Sequence, residues 1–125
     1  MNGKAIKTRY SDQELKEFET LVDKKLETAR VELTFYRSIL SDMADNPDSK
    51  IRGLDDGIGT QENERTTTLA GRLKKHIQHL ENAKIRIQNK VYGICRVSGK
   101  LISKQRLMAV PHATLSIEAK QAKTS

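Results

Sequence analysis

A chain of 125 residues has room for one modest domain and little apolar material for a second core. Charged side chains make up 31% of it, there is no Trp, and the net charge is +7, a balance that suits long solvated helices better than a compact globule. The single cysteine, Cys95, excludes an internal disulfide and fits a reducing cytoplasm, while residues 1–9 hold no apolar signal core and no run of about 18 apolar residues offers a membrane span.

The charge is unevenly laid along the chain. Residues 1–41 carry a net +1, residues 42–64 a net −5, and residues 65–125 a net +11. A basic C-terminal stretch of this kind suits nucleic acid or an acidic protein face, or forms an ordinary solvated surface.

Residues 1–9 are expected to be a flexible lead-in. Tyr10-Ser11-Asp12-Gln13-Glu14 then predicts a helix start, since Ser11 can cap the first turn and Glu14, three residues on, completes a capping box. Leu15, Phe18, Val22, Leu26, Ala29, Leu33, Tyr36, Leu40 and Met43 follow at steps of three and four, which places them on one helical face. The Val22 to Leu26 step is read as a kink, or as a junction between a short helix and a long one. Asn46-Pro47 and the glycines Gly53, Gly57 and Gly59 predict a loop over 44–59.

Helical spacing returns at Leu69, Leu73, Ile77, Leu80, Ala83, Ile87 and Val91. Each helix should run for about 30 residues, or about 45 Å. Two helices that are apolar on one face only, joined by a short loop, bury those faces against each other as an antiparallel hairpin. The acidic stretch would then sit at the far tip. Beyond Val91 the glycine-punctuated segments around Tyr92-Gly93 and Ser98-Gly99 predict a tight β-turn pair, Pro111 interrupts the chain, and Leu115 to Ala122 predicts a short terminal helix.

The ordered run Tyr92-Gly93-Ile94-Cys95-Arg96-Val97-Ser98-Gly99, then Ile102, Arg106-Leu107-Met108-Ala109-Val110-Pro111, then Ala113 to Lys120, closely resembles the DksA/TraR family, whose signature has the form YGxCxxCGxxIxxxRLxAxPxAxxCxxC behind a long helical hairpin. The resemblance covers roughly residues 10–123. It implies a mainly α fold: a long antiparallel coiled-coil hairpin (10–91), a small degenerate zinc-finger-like end (92–125) and a short C-terminal helix. The family's zinc-ligand positions fall on Cys95, Ser98, Ser116 and Ala119, and hydroxyl and methyl groups cannot replace thiolates around zinc. No bound metal is therefore expected, and no cofactor beyond a possible guanosine tetraphosphate. Ile94, Leu101, Ile102, Leu107, Val110, Leu115 and Ile117 should instead form a hydrophobic mini-core.

The resemblance further implies a monomeric, non-enzymatic bacterial transcription regulator of the cytoplasm. In this family the hairpin enters the secondary channel of core RNA polymerase, brings an acidic tip near the catalytic magnesium and modulates promoter-complex stability. Asp55 and Asp56 match the tip carboxylates. Some relatives, acting in the stringent response, build a guanosine tetraphosphate site with the polymerase. Arg72 and Lys120 fall on such positions and Arg106 is a further candidate phosphate or polymerase contact, whereas His79 and Val110 do not retain the charge.

No nucleophile–base pair stands out elsewhere. His76 and His79 stand three residues apart on a helix, a spacing for surface histidines that no thiol or carboxylate turns into a metal set, and Arg96 beside Cys95 could lower that thiol's pKa. Two other readings stay open: a nucleic-acid binder using the basic segment, though without interleaved aromatics, and a coiled-coil oligomer using the apolar seams between chains.

Overall fold

The computed structural model describes residues 8–45 and 58–124; the expected tip residues Asp55 and Asp56 lie outside these. Helix α1 spans Asp12–Asp45, α2 Ile58–Gln88, α3 Lys104–Ala109 and α4 Ile117–Thr124. The fold is mainly α, with two long helices packed together, and the chain divides into two compact units, Met1–Lys25 with His79–Ser125 and Leu26–Gln78.

α1 begins as its capping box dictates. The Ser11 N–H donates to Glu14 Oε1 at 2.9 Å and the Glu14 N–H donates to Ser11 Oγ at 3.2 Å, so two otherwise orphaned donors are satisfied reciprocally. The helix runs unbroken through Val22 and Leu26. The expected kink or junction there is not observed, because residues four apart still share a face and the step only shifts the seam sideways.

In the first unit, Lys90 Nζ pairs with Asp12 at 3.0 Å and Lys84 Nζ with Asp23 at 2.8 Å. Position rises along α1 as it falls along the other arm, so the arms are antiparallel. These exposed pairs mark the register and contribute little energy. Stability comes from the seam, where Leu15, Phe18 and Val22 of α1 and Leu80, Ala83 and Ile87 of α2 are buried.

In the second unit Leu26, Ala29, Leu33 and Ile77 are buried, while Tyr36, Leu40 and Leu73 are half-buried. Leu69 does not join them. It is 37% exposed, and the neighbouring Ala70 turns inward at 7%. Periodicity assigns a face to within about 100°, too coarse to choose between adjacent residues at its edge.

α2 ends earlier than the spacing suggests, and Val91 is 42% exposed rather than part of the seam. Lys90 takes φ 63°, its N–H donates to the Ile87 carbonyl at 3.1 Å, and the Val91 N–H donates to the Arg86 carbonyl at 3.0 Å. This is a Schellman ending with lysine in the position glycine usually fills. Among the described residues no helix is long and apolar enough to cross a membrane.

Candidate functional site

The candidate site is the module that follows α2, and its order begins with an aromatic lock. Tyr92 and Phe18 are almost wholly buried, with ring centroids 5.0 Å apart, and Phe18 meets the edge of Tyr10 at 5.2 Å. The Tyr92 hydroxyl donates to the Pro111 carbonyl at 2.7 Å, and the Tyr10 hydroxyl donates to the Ile102 carbonyl. Burial pushes both phenols up, with Glu14 adding to the effect at Tyr10 and Tyr10 adding to it at Tyr92. Gly93 makes this possible. At φ +80° it has no Cβ, and one built there would stand 2.6 Å from the Tyr10 ring.

The place of Tyr10 in the lock was not foreseen, although one signal existed. Tyr10 immediately precedes the capping serine, the position from which an apolar side chain staples itself over a helix start.

Between Tyr92 and Ile102 the chain makes the tight turn the glycines predict, with Ile94 and Leu101 as an isolated antiparallel bridge. Around it the Cys95 N–H donates to the Lys100 carbonyl at 2.8 Å, the Gly99 N–H to the Cys95 carbonyl at 2.9 Å, and the Ile102 N–H to the Gly93 carbonyl at 2.7 Å. Gly99, at φ +73°, allows the reversal. α3 follows, a short helix not foreseen, whose signal was Ser103: its hydroxyl accepts the Arg106 N–H at 3.2 Å. α4 is the expected terminal helix, and Ser116 caps it by accepting the Ala119 N–H at 3.1 Å.

The four degenerate ligand positions come together in two loops. Cys95 and Ser98 lie in the turn; Ser116 and Ala119 lie at the start of α4. Cys95, Ser116 and Ala119 are buried. The loops are joined by the Arg96 N–H, which donates to the Thr114 carbonyl at 2.9 Å, and by Arg96 Nε, which donates to Thr114 Oγ1 at 3.2 Å. The Ser98 N–H donates to Cys95 Sγ at 3.4 Å. Burial alone pushes the Cys95 thiol up, but hydrogen bonds from the Ser98 hydroxyl and from the amides of Ser116, Ser98 and Val97 outweigh it and hold the thiol down at about 6. Arg96 is engaged with Thr114, and Cys95 is packed away from solvent.

Ile102 and Leu107 form the centre of the mini-core, with Ile94, Leu101, Val110 and Leu115 half-buried around them. Ile117 is excluded from it. As the first residue of α4 it faces water and is 48% exposed.

Of the basic candidates, Arg72 is exposed on α2 in the second unit and Lys120 is exposed on α4 in the first. Arg106 is half-buried, and its Nε donates to the Leu115 carbonyl at 3.0 Å. His79 is exposed, as expected of a surface histidine, and its ring stacks on His112 with centroids 5.7 Å apart and planes 15° from parallel, while His76 is half-buried.

Comparison with known proteins agrees with this geometry. Residues 90–124 match the family model described as the prokaryotic dksA/traR C4-type zinc finger. The uncharacterized protein YteA of Bacillus subtilis is 40% identical over 57 residues, a stretch that covers 46% of this chain and 24% of YteA, so the likeness spans about a quarter of that relative. Among solved structures, transcription factor DksA2 from Pseudomonas aeruginosa is similar at a TM-score of 0.79 and 24% identity, over 88% of this chain and 82% of that one. The fold is thus that of a helix pair bearing a zinc-finger-type module. Over residues 90–124 the chain is similar to the DksA/TraR zinc-finger family, and its fold is similar to that of DksA2.

A C4 finger calls for four thiolates around zinc. Here one thiol, two hydroxyls and a methyl occupy those positions, and among the described residues no group of three or more His, Cys, Asp or Glu side chains could hold a metal ion. The donor set does not fit a tetrathiolate zinc.

Proposed function

We propose that this chain is a non-enzymatic bacterial transcription regulator that binds core RNA polymerase through the secondary channel and modulates the stability of promoter complexes. It acts as a cytoplasmic monomer without a bound metal. The observation that carries this reading is the joining of two long antiparallel helices to a finger module that bears the family signature. Residues 10–91 serve as the probe and residues 92–125 as its base. The carboxylates of Asp55 and Asp56 act at the polymerase centre, where negative charge meets the catalytic magnesium and the groups that bind it. Arg72 and Lys120 are the exposed contacts to polymerase; Arg106, committed to the Leu115 carbonyl, chiefly braces the module. Guanosine tetraphosphate has no part in this scheme, because the stacked ring of His79 and the apolar Val110 stand where cations would be needed.

The test separates binding from action. Changing Asp55 and Asp56 together to Asn removes two charges and keeps side-chain size. The variant should still bind core RNA polymerase, while its effect on promoter-complex lifetime in a purified transcription assay falls sharply. Regulation equal to the parent's refutes the tip assignment.

A further inference from the structure

The module that follows α2 keeps two aliphatic side chains out of its own packing. Val97, in the turn, is 64% exposed, and Ile117, the first residue of α4, is 48% exposed. The segments that carry them are joined by the Arg96 N–H on the Thr114 carbonyl at 2.9 Å and by Arg96 Nε on Thr114 Oγ1 at 3.2 Å. Val97 follows Arg96 in the chain, and Ile117 stands three residues beyond Thr114. Lys120, also exposed, lies one turn along α4 from Ile117 and shares its side of the helix. The bond to Thr114 restrains the Arg96 guanidinium but uses only its Nε–H. Among the described residues its terminal amino groups have no protein partner. Part of the ordering cost of binding is thereby met in the free protein.

We infer, building on the proposed role of residues 92–125 as the base of the probe, that Arg96, Val97, Ile117 and Lys120 form a docking surface for an acidic, partly apolar face of core RNA polymerase. Residues 92–125 hold six Lys or Arg against Glu118 alone, so the complementary partner is negative. The surface also adjoins Lys120, which already serves as a polymerase contact in the proposed function. Two aliphatic side chains suit a protein face, whose contact core excludes water, better than a phosphate backbone. Base stacking needs an exposed ring, and the one Phe, Tyr or Trp in this segment, Tyr92, is 1% exposed. Arg96 supplies planar, forked donors for a carboxylate, Lys120 a mobile positive charge, and Val97 and Ile117 the apolar contact.

Equilibrium binding of full-length variants to core RNA polymerase tests this. Ile117→Asp is the sharpest variant, because an acid in the first turn of a helix suits the fold while its charge opposes a negative partner. It should weaken the complex by about tenfold or more, and the loss should shrink as salt is raised. Ile117→Lys loses the same methyl groups but adds a positive charge, and should bind more tightly than Ile117→Asp. Arg96→Gln should also cost about tenfold, and Val97→Ser about two- to fivefold. The Ile117 and Val97 side chains make no hydrogen bond, so their variants keep the test decisive should Arg96→Gln loosen the loop. Binding by Ile117→Asp equal to the parent's, or Ile117→Asp and Ile117→Lys weakened alike, overturns the inference and leaves the proposed function standing. So does a loss of duplex DNA affinity in these variants with polymerase binding intact, which makes the surface a nucleic-acid face. Loss of a concentration-dependent dimer, again with polymerase binding intact, makes it a self-contact and overturns the inference too. A parent that does not bind polymerase contradicts the proposed function and the inference with it.

Discussion

Replacing Gly93 with Ala tests the aromatic lock where it is tightest. The new Cβ would stand 2.6 and 2.7 Å from two carbons of the Tyr10 ring and 3.1 Å from Leu107 Cδ1, at φ +80°. The left-handed backbone alone costs about 1–2 kcal/mol for a residue with a side chain. Tyr10 cannot yield cheaply, since its ring is held against Phe18 and its hydroxyl against Ile102. Displacing it forfeits an aromatic pair of about 1 kcal/mol and a hydrogen bond of about 1 kcal/mol. The sum is about 3–4 kcal/mol, or a fall in Tm of about 12–16 °C for a chain of this size. Gly99→Ala is the internal control: Gly99 has φ +73° but open space around the added methyl, so only the backbone penalty of about 1–2 kcal/mol applies. Urea unfolding of Gly93→Ala, Gly99→Ala, Tyr10→Ala and the Tyr10→Ala/Gly93→Ala pair gives the coupling directly. With Tyr10 truncated, Gly93→Ala should fall to the cost of Gly99→Ala. Equal costs for the two glycines in the parent, or an undiminished cost of Gly93→Ala without the ring, refutes the lock.

Three further outcomes follow from the same geometry. Leu80→Ala should destabilise by about 2–5 kcal/mol because that side chain is fully buried, whereas Leu69→Ala, at 37% exposed, should stay below about 1 kcal/mol; chemical denaturation ranks them. Lys90→Gly should raise Tm by a few degrees, since relief of the φ 63° backbone is worth about 1 kcal/mol and exceeds the exposed ion pair to Asp12; a lower Tm would show that the ion pair dominates. The Asp12 carboxyl is held below its ordinary 3.8 by hydrogen bonds from Lys90 and Arg9, so its contribution is present above that value and disappears as pH falls through the lowered one. Asp12→Asn should therefore be less stable than the parent at neutral pH and match it in strong acid, measured as Tm against pH.

Much of this was legible in the sequence because local rules carried it. The capping box at Ser11 and Glu14, the seam from Leu15 to Leu33 and the ordered signature from Tyr92 to Ala119 each need only spacing and residue type. Other features depend on long-range partners. Tyr10 is ninety-two residues from the carbonyl it binds, so its neighbours in the chain show only that it precedes a helix. Lys90 ends α2 in a conformation that usually announces itself through glycine, which is why the periodic reading ran on to Val91. Leu69, Ala70 and Ile117 show the same limit at the edges of apolar faces, where packing decides which of two adjacent residues turns inward. At the ligand positions the sequence named the residues, and the structure added how the two loops that carry them are joined, through the Arg96 N–H on the Thr114 carbonyl and Arg96 Nε on Thr114 Oγ1.

The central claim is that this chain acts on RNA polymerase, and equilibrium binding of the purified protein to core RNA polymerase tests it most directly. A fluorophore at the C-terminus reports binding by anisotropy, with bare duplex DNA titrated in parallel at several salt concentrations. The account predicts a saturable one-to-one complex with core polymerase, weakened by adding an unlabelled protein known to occupy the secondary channel, and no comparable affinity for duplex DNA. Absence of a polymerase complex together with a steeply salt-dependent DNA complex would contradict it and make the basic C-terminal segment a nucleic-acid-binding surface.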